Sequence, residues 1–124
     1  MSNYINVSSI GPFPLKLRFD DDINKNLEKM KNFWREQINQ VLPDNPDLIV
    51  LPEACDRPDP VDREKWSQDE VTEKRFDFAR ARGDKFIEFF GSIAEENNCY
   101  IAYSAKFEID DDNWRNSTLL INRD

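Results

Sequence analysis

The sequence predicts an α/β domain built on a mixed sheet with parallel core strands. Three observations carry this. Residues 48–51 read Leu-Ile-Val-Leu without a break, and Pro52 stops the run; an uninterrupted apolar stretch bounded by prolines predicts a strand buried on both faces, as in a parallel sheet. Amphipathic helical patterns lie on either side of that run. Two more strand-like segments follow, separated by an acidic turn. The order is therefore strand, helix, strand, helix, strand, strand. Two strand–helix–strand units in series imply a parallel core, and the last pair is close enough in sequence to run antiparallel.

Each element has a local reason. Residues 4–10 mix β-branched and polar types and predict a first strand, ended by Gly11, Pro12 and Pro14; residues 12–19 then read as a loop. Asp20, Asp21 and Asp22 suit a helix start, because Asp accepts from free N–H groups and favours the positive end of the helix dipole. Ile23, Leu27, Met30, Trp34, Ile38 and Val41 follow at steps of four, three, four, four and three, which is one face of a helix. Pro43 closes it. Residues 54–68 are polar, carry Pro58 and Pro60, and read as a long loop of the kind that is often functional. Residues 69–82 predict a mostly solvated helix with Val71, Phe76, Phe78 and Ala79 as its apolar members, interrupted at Gly83. A second amphipathic helix covers 84–96 through Phe86, Phe89, Phe90, Ile93 and Ala94, with Asn97 and Asn98 as C-terminal caps. Residues 99–103 and 118–121 predict strands joined through the Asp-rich turn at 110–113.

Composition narrows the function. The chain has 124 residues, enough for one domain or a piece of a larger one, and 25 acids against 17 bases give a net charge of −8. That balance argues against a nucleic-acid or anionic-membrane surface. No stretch is apolar enough to span a bilayer, and a cytoplasmic protein acting on a small molecule is expected. Histidine is absent, which removes Ser-His-Asp and Cys-His catalysis and every His-based zinc site from these residues. The two cysteines, Cys55 and Cys99, read as free buried thiols. The acidic triplets at 20–22 and 110–112 are accounted for by a helix cap and a turn, and no metal or other cofactor is expected.

Glu53 is the candidate site residue. It follows the apolar strand and Pro52 directly, and open α/β folds collect their chemistry just beyond the carboxyl ends of parallel strands. Cys55 lies two residues on, but a thiol packed in the loop is the simpler reading.

With these elements in place, the chain resembles the N-terminal part of a carbon–nitrogen hydrolase of the nitrilase superfamily. The resemblance covers nearly the whole chain and is anchored by LIVLPE at 48–53, NNCYIAYS at 97–104 and RNSTLLINRD at 115–124. It implies part of an αββα sandwich, with helices on one face of the mixed sheet, and a Glu-Lys-Cys mechanism with a thioester acyl-enzyme, acting on an amide or nitrile. Glu53 would be the general base. The lysine and the nucleophilic cysteine would lie beyond Asp124, so the 124 residues form an incomplete, truncated fragment, inactive alone and prone to form a homo-oligomer through the uncovered sheet face. The chain departs from the family pattern at Ser8 and Ser9, where a Gln is common, at Ser104 and Ala105, where a Gly is common, and in the long 54–83 segment. Two other classes stand beside this one: a small non-catalytic α/β binding or regulatory module, and a carboxylate-based metal enzyme using the Asp clusters.

Overall fold

The computed structural model describes residues 4–11 and 15–122. Its elements in chain order are β1 (Val7–Ser9), β2 (Lys16–Leu17), α1 (Ile23–Val41), β3 (Leu48–Val50), β4 (Asp59–Pro60), α2 (Gln68–Arg82), α3 (Lys85–Glu96), β5 (Tyr100–Asp110) and β6 (Asn113–Ile121). The main sheet has the order β1-β3-β5-β6. β3 runs parallel to both β1 and β5, and β6 closes the sheet antiparallel to β5. The fold is thus mixed α/β with a parallel core. Among the described residues no helix is long and apolar enough to cross a membrane.

Side chains and turn residues close several of the helix ends. Asp22 accepts from the N–H groups of Asn24 at 2.8 Å and Lys25 at 3.3 Å, and so satisfies two donors that the first turn leaves open. Ser67 and Glu70 form a reciprocal capping box at the start of α2. At its end, Gly83 takes φ +48°, a region open to glycine at little cost. At the end of α3, the Asn97 amide donates to the Ile93 carbonyl at 2.9 Å, and Asn98 turns left-handed at φ +51°.

One face of the sheet makes the core. Ile49, Leu51, Ile101, Tyr103, Ala105 and Ile121 are buried in a single cluster with Leu27, Met30, Trp34 and Ile38 of α1, Phe78 of α2, and Phe86, Phe89, Phe90 and Ile93 of α3. The opposite face carries no layer among the described residues. Leu48, Val50, Tyr100 and Ala102 are only partly buried, and Val7 and Leu120 are 52% and 65% exposed. This corrects the expectation that 48–51 is buried on both faces. Its alternate residues are covered on the helix side alone.

Three other expectations change. The first strand is shorter than 4–10, and Pro12 and Pro14 lie outside the described residues. The supposed loops at 12–19 and 54–68 contain β2 and β4, which pair in parallel through Asp59 N–H to Leu15 and Val61 N–H to Leu17. A strand of two residues has no periodicity to read, so the sequence gives no warning of it. The final hairpin is also longer than predicted. Its distal half is too polar to look like a strand, and is held instead by Trp114 against Phe76, ring centroids 5.1 Å apart, and by Arg80 bonding to Asp112 at 3.0 Å.

The segment after β3 is tied to the helical layer by Trp34, whose buried indole N–H donates to the Cys55 carbonyl at 2.9 Å. Replacing Trp34 with Phe keeps an aromatic ring but leaves that carbonyl without its donor. A loss of about 1–3 kcal/mol is expected, seen as a lower urea midpoint with an unchanged slope of the unfolding free energy.

Candidate functional site

The chain leaves β3 at Leu51 and turns sharply. Ala54 adopts φ +53°, a left-handed conformation that costs a non-glycine residue about 1–2 kcal/mol. The Arg57 N–H closes the turn on the Ala54 carbonyl at 3.0 Å. This turn separates two acids. Glu53 goes to the rim of the open face, and Asp56 goes inward beneath the helices.

Glu53 is exposed. It borders a shallow cavity of about 150 Å³ with Ala54, Ser104, Ala105, Asn116, Ser117 and Thr118. Ser104 and Thr118 face each other across β5 and β6, their hydroxyl oxygens 2.7 Å apart. The position beyond the carboxyl end of a central parallel strand is the expected one. The closed, apolar surroundings that would strengthen a carboxylate base are not formed by these residues.

Asp56 carries the stronger electrostatics, and sequence reading passed over it. Its buried carboxylate accepts from Arg82 Nη1 at 2.9 Å and from the Tyr103 hydroxyl. Arg82 is itself buried and also donates to backbone: Nη2 to the Lys106 carbonyl at 2.5 Å and Nε to the Gly83 carbonyl at 3.0 Å. Its guanidinium also lies over the Phe107 ring, 4.7 Å from the centroid. One buried ion pair thereby joins the post-β3 turn, the end of α2 and the middle of β5. A signal for it does exist. Val71, Arg75, Phe78 and Arg82 follow at steps of four, three and four, so α2 presents an inward stripe in which apolar residues and arginines alternate, Arg75 alone being partly exposed. A purely hydrophobic search misses such a stripe.

Cys55 is not placed for nucleophilic work. It belongs to the core cluster, and burial followed by the neighbouring Asp56 charge pushes its thiol well above the ordinary value. Cys99 is buried at the other end of the sheet and is raised by burial as well. The bland reading of both cysteines therefore agrees with the structure. Asp22 caps α1, and Asp112 sits in the hairpin turn at φ +57°.

A pH dependence follows. Burial, then the Asp56 charge, raises the Tyr103 phenol above its ordinary 10.0, and Cys55 is likewise raised above 9.0. Above those ordinary values the unfolded chain releases protons that the native chain keeps. The native state then binds more protons, and stability falls as pH rises. The stabilisation is complete below pH 9 and should decline above pH 9 for Cys55 and above pH 10 for Tyr103, by up to about 1.4 kcal/mol per pH unit for each group. Urea titrations across pH 8–11 should show this decline. Tyr103→Phe should be less stable at neutral pH and should show a shallower decline above pH 10.

No family model, curated protein or solved structure matches this chain, so what it does has to be argued from this geometry and its chemistry.

Proposed function

We propose that the chain is the N-terminal part of a carbon–nitrogen hydrolase of the nitrilase type, with Glu53 as its general base. The observation that supports this best is the place of Glu53, just past the end of the central parallel strand β3 and at the rim of the face that, among the described residues, no helix covers. In an αββα sandwich that face is inside, against a second sheet. Its partly apolar surface, with Val7, Leu48, Val50, Tyr100, Ala102 and Leu120 on one side of the sheet, suits such a partner. Left uncovered, the same surface favours self-association.

Glu53 in this reading acts only once the second layer has closed over the rim and removed water from it. It takes the proton of a cysteine thiol as the sulfur attacks the carbonyl carbon of an amide. It returns that proton to the departing amine, which leaves a thioester. It then takes a proton from water as the hydroxide attacks the thioester, and the proton passes to the leaving sulfur as the acid is released. A lysine ammonium holds the oxygen that carries charge in both tetrahedral intermediates. Neither cysteine in the chain is suitable, and the reading assigns sulfur and ammonium to polypeptide beyond these 124 residues. A nitrile is the other substrate class open to the same groups.

The test is Glu53→Gln in the complete polypeptide that the reading requires. Turnover of simple aliphatic amides and nitriles should fall by about a thousandfold or more, while the melting curve stays put because the residue is exposed in this domain. Unchanged turnover in the variant would remove Glu53 from the chemistry. Absence of any thioester-forming activity in the complete polypeptide would favour a non-catalytic α/β module.

A further inference from the structure

The acidic balance of the chain has one pronounced exception. A cavity of about 230 Å³ opens between the 54–58 turn and α2, and its wall includes Arg57, Arg75, Arg82 and Lys106 against a single acid, Asp56. Asp56 is already committed to Arg82 and Tyr103. Arg75 sends Nε to the Pro58 carbonyl at 2.9 Å and Nη2 to Asp59 at 2.9 Å, and Asp59 is shared with Arg63 at 2.8 Å. Among the described residues no carboxylate pairs with Arg57 or Lys106. The Lys106 ammonium lies over the Phe76 ring instead, 5.7 Å from its centroid. The rest of the wall is largely apolar: Ala54, Pro58, Phe76, Phe78 and Ala79.

Cations gathered on one wall repel one another. Burial, and then the neighbouring Arg57 charge, lowers the Arg75 guanidinium below its ordinary value in spite of Asp59. The one acid on that wall is already matched by Arg82 and Tyr103, and an anion entering the cleft would relieve the repulsion among the other cations and meet forked donors. The volume lies below the range of about 300–1,000 Å³ usual for drug-sized ligands, which restricts the occupant to a small molecule. The apolar side of the cavity calls for a flat hydrocarbon body.

We infer that this cleft binds a small organic anion, its phosphate or carboxylate head between Arg57, Arg75 and Lys106 and its ring against Pro58 and Phe76. The inference does not depend on Glu53, which borders a different cavity.

Phenyl phosphate is a suitable probe, with inorganic phosphate as the head group alone and benzoate as the carboxylate counterpart. In a titration followed by amide NMR of the full chain, phenyl phosphate or benzoate should produce saturable shifts at Arg57, Thr72, Phe76, Ala79 and Lys106. Inorganic phosphate should bind at least tenfold more weakly than phenyl phosphate. Arg57→Ala and Lys106→Ala, both at exposed positions, should keep the native spectrum and each weaken binding of the aromatic anions about tenfold, the equivalent of 1.4 kcal/mol. Binding should also weaken as salt is raised. The inference is overturned if neither aromatic anion gives saturable shifts in the millimolar range, if the shifts map outside the cleft, if the two variants bind as the parent does, or if inorganic phosphate binds as tightly as phenyl phosphate.

Discussion

A carboxylate taken out of water has to be matched, and the match for Asp56 organises this domain. The ion pair with Arg82 and the Tyr103 hydroxyl together supply charge and donors to an acid that would otherwise be expelled from the interior. Arg82 is held by the backbone of β5 and by Gly83, so the cluster depends on three separate segments being in register. Trp34 fixes the same turn from the side of α1. The turn after β3 is pinned from two layers at once, and the left-handed Ala54 can be sustained there because its surroundings leave it no other path.

The consequence is a division of labour between neighbouring residues. Glu53 and Asp56 are three positions apart and meet different environments. The outer acid faces water at the edge of an uncovered sheet face. The inner one is structural and holds Arg82 at the back of a cationic cleft. The sequence offers three acidic or thiol groups around this turn, Glu53, Cys55 and Asp56, and the backbone decides which of them is available for chemistry. The proposed hydrolytic role and the proposed anion cleft both take their geometry from the turn, yet they use different walls.

Much of the scaffold is legible in the sequence. The steps from Ile23 to Val41 place α1, Asp22 starts it, and the three phenylalanines of α3 pack where their spacing puts them. The parallel arrangement of β1, β3 and β5 follows from the alternation of strand and helix. What escaped was governed by contacts distant in sequence. β2 and β4 exist only because they meet each other. The outer half of the final hairpin is polar and is held by Trp114 and Arg80 against α2. The buried role of Arg82 was hidden because arginine counts as a solvent residue until a partner such as Asp56 is known. Glu53 stands out in the local sequence, and it lies just past the end of β3. Its exposure could not be read from sequence, because it depends on which face of the sheet the described elements leave open.

The central claim is that Asp56, Arg82 and Tyr103 act as one buried unit that holds the post-β3 turn. A double-mutant cycle built from Asp56→Asn and Arg82→Gln, read by urea unfolding at neutral pH, tests it most directly. Each single variant leaves a buried partner unmatched, and the double variant removes both charges. A coupling energy of about 2–3 kcal/mol is predicted. Additive losses, with no coupling between the two positions, would contradict the account.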